Sequence, residues 1–350
     1  MEKLIIDGRS IGPGEMPYIV AEIGSNHNGD MALCRKLINA AKACGADAAK
    51  FQSWSKESLI SHAEYQRNTK YGTNNEKLPS LEEEVEKYQL TPDQHREIAD
   101  HCKEIGITFF SSCFSKPEVD LLESLDVPAY KIASMDVNHL PLLEYVGATG
   151  KPVILSTGLA TLGEIERAIN TLGEAGSGAI GLLHCVSIYP SPPESVHLRN
   201  ITTLQTAFDL PVGYSDHSLG AAIPLAAVAL GACVIEKHFT LDKSMDGWDH
   251  AVSADPEEMT YLVRQSKDIF SALGSSVRRI SEAQSEKRKV FRRRVVASRP
   301  ILRGQPLTTQ DLEFKRPGNG INPDELQYVV GRTLVRDLNP EDEIEWSDLA

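Results

Sequence analysis

Several things are scarce in this 350-residue sequence, and each scarcity closes off a class of function. Long apolar runs are missing. The longest mostly apolar stretch, Ala221 to Ile235, is broken by Pro224 and Gly231 and falls short of the roughly 18 residues of a spanning helix. Positive charge is not in excess. Lys and Arg number 36 against 49 Asp and Glu, a net charge of −13, the wrong sign for neutralising a nucleic-acid backbone over a broad face. Cysteine is sparse and unpaired. Cys34, Cys44, Cys102, Cys113, Cys185 and Cys233 show no CxxC spacing, so buried thiols are expected rather than disulfides or a cysteine metal site. The N-terminus carries Glu2, Lys3, Asp7 and Arg9 without an apolar signal core, so a cytoplasmic location is expected. With 41% apolar and 24% charged residues, the chain is neither disordered nor fibrous.

What is present is a rhythm. Short apolar, β-branched runs recur at Tyr18–Ile23, Ala48–Gln52, Thr108–Ser112, Ala129–Ala133, Val153–Ser156, Gly181–Cys185, Val212–Ser215 and Val234–Phe239. Helical patterns such as Met31–Cys44, Pro92–Glu104 and Leu162–Leu172 lie between them, two opened by the capping boxes Thr91–Gln94 and Thr161–Glu164. Alternation of this kind demands parallel pairing, and eight strands predict a closed (β/α)8 TIM barrel. A doubly wound open sheet is the alternative, but no GxGxxG follows the first strand.

Two stretches break the rhythm. The polar segment from Trp54 to Thr91, with Tyr71–Asn75 and the acidic Glu82–Glu84, reads either as a lid over the catalytic face or as a solvated excursion. After the helical stretch Pro256–Leu273 comes a basic run that includes Arg278, Arg279, Lys287, Arg288 and Lys289. It reads as a solvated linker or interface before a small β-rich module with strand-like pieces at Arg294–Ala297, Glu313–Lys315 and Thr333–Val335. The predicted division is a barrel over 1–275, a linker over 276–290 and a small domain over 291–350. A module of about sixty residues is most stable when docked on something else.

Barrel chemistry comes from strand C-termini, and here those ends are unusually polar. They offer Glu22, Lys50 with Gln52, Ser112, Lys131 with Ser134, Ser156, Ser187, Ser215, and Glu236 with His238. Lysine is rarely buried without a partner, so Lys50 and Lys131 point to anion capture, with the hydroxyls completing the hydrogen bonds of a phosphate. His217 and His238 come from adjacent strand ends. They read either as ligands of a divalent ion such as Mn²⁺ or as two hydrogen-bonded histidines in a polar pocket. His184, inside an apolar run, is expected to be structural.

Taken in order, the runs Ala21–Gly29 (AEIGSNHNG), Lys50–Gln52, Tyr130–Ser134, Leu183–Cys185 with Tyr189–Pro190, Gly213–His217 and Glu236–Phe239 resemble the sialic acid (N-acetylneuraminate) synthase family. Arg316–Ile321 and Gly331–Arg332 resemble that family's antifreeze-like (SAF, β-clip) C-terminal domain. The resemblance implies condensation of phosphoenolpyruvate with an open-chain N-acylated amino sugar, giving a nine-carbon 2-keto-3-deoxy acid and phosphate. It implies a divalent ion on His217 and His238, Mn²⁺ first with Mg²⁺ or Co²⁺ as options, and Glu22 as proton carrier or orienting group. Lys50 and Lys131, with Ser112, Ser134, Ser156, Ser187 and Ser215, would hold phosphoenolpyruvate. Gln52, Tyr189, Glu236 and Asp249 would contact the sugar. Arg316 would reach a partner's barrel in a domain-swapped homodimer, with neither nucleic acid nor membrane as partner.

Three departures from the family pattern stand out. Ser112 replaces Thr and keeps the hydroxyl, Asp136 replaces Glu near the sugar, and Trp248 stands where Pro is usual. The Trp248 ring would either stack on the sugar or pack its own loop. These departures lean towards a 2,4-diacetamido-6-deoxyhexose, the precursor of legionaminic or pseudaminic acid, over N-acetylmannosamine. Two other functions compete: another phosphoenolpyruvate-dependent keto-deoxy sugar acid synthase acting on a sugar phosphate, or a non-catalytic carbohydrate-binding protein.

Overall fold

The computed structural model describes residues 2–67, 70–71, 76–77, 80–316 and 318–350. The chain divides into two compact units, one ending at Gly274 and the other running from Ser275 to Ala350.

In the first unit, eight parallel strands close into a barrel in chain order: Tyr18–Gly24, Ala48–Ser53, Thr108–Cys113, Tyr130–Ile132, Val153–Ser156, Ile180–Cys185, Val212–Asp216 and Val234–His238. The open sheet is thereby excluded. Each strand is almost wholly buried, because one face lines the interior and the other packs under the helices. Outward residues such as Ile19, Ala49, Tyr130 and Leu155 join Leu37, Ile98 and Leu143 of the surrounding helices in the main core. Both capping boxes form, at Thr91–Gln94 and Thr161–Glu164, and all six cysteines are free and buried.

Inside the barrel, the pleat decides what sits where. Successive residues alternate faces, so an inward position at the strand's start is followed two residues later by another. The first inward layer includes Val20, Ala48, Phe110, Ile154, Leu183 and Val234 and is apolar. A hairpin of Leu4–Ile6 and Arg9–Ile11, not anticipated from the sequence, covers it with Leu4, Ile6 and Ile11. The next inward layer, two residues on, is Glu22, Lys50, Ser112, Ser156, Cys185 and Glu236, all buried. One end of the barrel is therefore plugged with hydrocarbon and the other is lined with charge.

On the outer face, strands seven and eight are tied by a second buried pair. Lys237 Nζ lies 2.6 Å from Asp216 Oδ2 and donates to the Ser218 carbonyl, while Asp216 Oδ1 accepts from Ser218 and Tyr214. This pair flanks His217 and His238 in sequence and fixes the edges that carry them.

In the second unit, Val295, Ile301, Leu312, Leu334 and Ile344 form a core of their own. Arg294–Ala297 pairs antiparallel with Leu312–Lys315. The predicted strand Thr333–Val335 does not form; Thr333 and Leu334 make isolated bridges to Pro306 and Leu349. The basic run read as a linker contains a helix, Glu282–Phe291, capped by Ser281 and with no buried residue. Capping and ion pairs such as Lys289–Glu286 support it where burial does not, which is why hydrophobic periodicity missed it. Among the described residues no helix is long and apolar enough to cross a membrane.

Removing one partner of a buried ion pair strands the other charge. Lys237→Met should therefore lower unfolding free energy by about 3–5 kcal/mol. Breaking the exposed Lys3–Glu15 pair with Lys3→Met should cost under about 1 kcal/mol. Denaturant titration of the two variants checks the contrast.

Candidate active site

Register places the site residues side by side. Glu22 is opposite Lys50 on strand two and His238 on strand eight; Ser112 is opposite Gln52 and Lys131; Ser215 is opposite Cys185 and Glu236. Lys50 Nζ lies 2.6 Å from Glu22 Oε2 and 3.9 Å from Glu236 Oε2. Lys131 Nζ lies 3.9 Å from Glu236 Oε1 and donates to Ser156 Oγ at 2.6 Å. Ser215 donates to Glu236 at 3.0 Å and Gln52 Nε2 to Glu22 at 2.8 Å. The result is an alternating chain of carboxylates and ammonium groups, each 2% to 6% exposed.

Burial and charge pull these groups in opposite directions. Burial pushes the Glu22 carboxyl up to about 7, with Lys50 pulling the other way and Glu236 adding to the rise. Glu236 is also disfavoured by burial, but Lys131 and Lys50 outweigh it and hold the carboxyl low. For Lys50, burial is outweighed by Glu22 and Glu236, which keep the ammonium charged above its usual range. Lys131 is pulled down, burial being larger than the help from Glu236. Two carboxylates on one rim thus differ: one is held ionised and one sits near neutrality, the pattern of paired acid–base chemistry.

Gly158, Ser134 and Ser187 form a small polar cradle after strands four, five and six. Gly158 N–H donates to Ser134 Oγ at 3.1 Å, and a Cβ at Gly158 would fall 2.7 Å from Ser187 Oγ and 2.8 Å from Ser134 Oγ. Only glycine leaves that space open.

The imidazoles of His217 and His238 have ring centroids 5.6 Å apart. Nδ1 of His217 donates to the Val186 carbonyl at 2.8 Å; burial disfavours the charged ring, but Cys185 and that carbonyl outweigh it and hold the imidazole above its usual range. Nδ1 of His238 is buried with no hydrogen-bond partner, and burial holds this ring down to about 4, so it is neutral at pH 7. Asp249 lies 4.0 Å from it, and the Tyr189 ring covers His217 at 4.0 Å. Among the described residues no three His, Cys, Asp or Glu side chains gather as a complete ligand set. The neutral His238, with its orphaned Nδ1, fits a ligand of a divalent cation, and His217, drawn towards its charged form by Cys185, would join it once deprotonated.

Not every predicted residue joins this cluster. Asp136 is paired with His139 at 3.3 Å, on the short turn after strand four. Arg316 lies in the second unit, its guanidinium over the Phe291 ring. Trp248 stacks on Trp54 at 5.9 Å and meets Tyr88 at 4.6 Å, so its ring packs the loop. His184 is structural, its Nε2 bonded to the Val196 carbonyl. Residues 72–75 of the Tyr71–Asn75 stretch lie outside the described residues. Around them, the described insertion is helical at Lys56–Leu59, His62–Arg67 and Leu81–Tyr88, packed on Trp54, Leu81, Val85 and Phe114.

The Asn26–Gly29 run is a clasp. Asn26 Nδ2 donates to the Phe239 carbonyl and to Ser253 Oγ, and Asn28 to the Asp246 carbonyl. A Cβ at Gly29 would fall 2.4 Å from the Lys87 carbonyl, so the first loop also abuts the insertion. Sequence reasoning missed Cys185, whose thiol bonds to His217. Strand parity could have found it, since Leu183 two residues earlier faces inward.

The NeuB family matches residues 37–278, and a SAF domain matches residues 292–350. The chain belongs to the NeuB family. A legionaminic acid synthase from Campylobacter jejuni (N,N'-diacetyllegionaminic acid synthase) is 42% identical over 332 residues, covering 93% of this chain and 98% of that protein. An uncharacterized protein of Methanocaldococcus jannaschii is 45% identical over 349 residues, 100% of this chain and 99% of its own. The sialic acid synthetase of Leptospira borgpetersenii, solved with citrate, has a TM-score of 0.74 at 33% identity, covering 82% of this chain and 95% of that one. Within this NeuB-family barrel, the charged rim is the candidate active site.

His238 and His27 are both held down to about 4 by burial. Each binds a proton less readily when folded, so each adds stability that is complete above about pH 6.5 and is lost as pH falls towards 4. Denaturant unfolding should show that loss, on the order of 3 kcal/mol per histidine at the limit, and His27→Gln should flatten the slope. An unchanged slope in the variant would refute the assignment.

Proposed function

We propose that the protein is a nonulosonic acid synthase, a phosphoenolpyruvate-dependent C–C bond-forming transferase working in the cytoplasm. The observation that carries this reading is the alternating Glu22–Lys50–Glu236–Lys131 chain on the rim that also holds His217 and His238. Phosphoenolpyruvate brings a carboxylate and a phosphate, and the rim offers two ammonium groups plus the Ser134, Ser187 and Gly158 cradle to receive them.

The reaction joins carbon three of phosphoenolpyruvate to the sugar's aldehyde carbon; water adds at carbon two, and phosphate departs with its bridging oxygen. Lys131 and Ser156 hold the phosphate oxygens, while Lys50 holds the carboxylate. Glu22, titrating near 7, moves a proton between its carboxyl and the oxygen that gains or loses one. Gln52, Tyr189, Glu236 and Asp249 orient the acceptor. A divalent ion held by His217 and His238, Mn²⁺ being our first choice, would polarise the aldehyde oxygen.

For the acceptor we favour a 2,4-diacetamido-6-deoxyhexose. Trp248 no longer argues for this, since its ring is spent on Trp54 and Tyr88. Asp136, paired with His139 away from the cluster, does not argue for it either; the support is the likeness to the Campylobacter legionaminic acid synthase. We further propose a domain-swapped homodimer in which Arg316 closes a partner's site. Met135, Leu159 and Leu219, on loops after strands four, five and seven, are 56%, 78% and 60% exposed, an apolar rim that a second copy's small domain would cover.

Purified protein given phosphoenolpyruvate, Mn²⁺ and each candidate sugar should release phosphate fastest with the diacetamido sugar. Preference for N-acetylmannosamine would overturn the substrate choice. Turnover restricted to a phosphorylated acceptor would favour the other keto-deoxy acid synthases, and no keto-deoxy acid from any sugar would favour a binding protein. His217→Ala or His238→Ala should abolish turnover while the chain stays folded by circular dichroism, and full activity after chelation would remove the metal from the mechanism. Arg316→Ala should raise the sugar's KM far more than that of phosphoenolpyruvate.

A further inference from the structure

The insertion after strand two begins at Trp54, which is 4% exposed. Its ring stacks on Trp248, and Trp248 in turn meets Tyr88 at the end of the insertion's last helix. Packing alone would be served by any large apolar ring. Trp54 does one thing more: its indole N–H donates to Gln52 Oε1 at 3.3 Å. The other end of that carboxamide donates to Glu22 Oε1 at 2.8 Å, and Glu22 Oε2 receives Lys50 at 2.6 Å.

A carboxamide has a donor end and an acceptor end of nearly equal shape, and only its neighbours decide which way it points. Glu22 Oε1 touches only the NH₂ end of the carboxamide, and the acceptor end is met by Trp54. The indole N–H can only donate. It therefore selects the orientation in which Oε1 faces the insertion and the NH₂ faces the site.

We propose that Trp54 is a positioning residue that sets the orientation of Gln52, and so the donor presented to Glu22 and to the acceptor sugar. This deepens the function proposed above and rests on it for the kinetic test. The insertion thereby contributes to acceptor recognition through one hydrogen bond.

Trp54→Phe keeps a ring against Trp248 and removes the N–H. It should lower kcat/KM for the sugar about tenfold, the scale of one lost hydrogen bond in a buried setting, with the KM of phosphoenolpyruvate changed less than twofold. In a Gln52→Ala background the same substitution should change sugar kcat/KM less than twofold, because its target is gone. An undiminished effect in that background would assign Trp54 to packing, and a Trp54→Phe enzyme equal to wild type would also overturn the proposal. A second measurement needs no turnover. In protein labelled with ¹⁵N-glutamine, the Gln52 side-chain amide signals, assigned by their absence in Gln52→Ala, should shift and exchange faster in Trp54→Phe. Unmoved signals refute the positioning role. Wild-type protein inactive on every sugar, with the amide signals shifting in the variant, refutes the proposed reaction instead.

Discussion

Two ammonium groups and two carboxylates buried on one rim can persist only because each answers another. Moving an ion out of water costs several kcal/mol even after relaxation, and Glu22, Lys50, Glu236 and Lys131 are all at most 6% exposed. Their arrangement as alternating charges offsets that cost. Their unequal separations, 2.6 Å for Lys50–Glu22 but 3.9 Å for both contacts to Glu236, leave Glu236 and Lys131 the looser partners. In a rim so arranged the four charges offset one another, and the short contact of Lys131 is to Ser156, not to a carboxylate.

The barrel makes this rim almost automatically. Its pleat sends every second residue inward, and the inward set changes from Val20, Ala48, Phe110 and Val234 to Glu22, Lys50, Ser112 and Glu236 within one step of two residues. The hydrocarbon layer and the N-terminal hairpin beneath it exclude water from one side. The low-dielectric floor strengthens every charge interaction above it. On the outside, the Lys237–Asp216 pair repeats the same device at the edges carrying the two imidazoles, where it serves position instead of chemistry.

Loops complete what the strands begin. Asn26 and Asn28 tie the first loop to the last, and Trp54, Tyr88 and Trp248 bind the insertion to the loop that carries Asp249. Gln52 stands where the two systems meet, bonded to Trp54 on one side and to Glu22 on the other. Substitutions in the insertion can therefore reach the site without touching substrate.

Eight strands, their order and their polar ends were readable from the sequence, because apolar periodicity and parity are local properties. The short motifs around Glu22, Lys50, Lys131, His217 and His238 were readable for the same reason. Which carboxylate is held ionised and which sits near 7 was not, since that depends on distances across a closed barrel between residues as far apart in sequence as Glu22 and Glu236. Nor was the use of Trp248, whose ring was free in the sequence to face sugar or protein until folding set Trp54 and Tyr88 against it. The helix Glu282–Phe291 escaped because capping and ion pairs, not a buried stripe, hold it. Local chemistry thus chose the residues, and only closure of the barrel decided which of them share a charge.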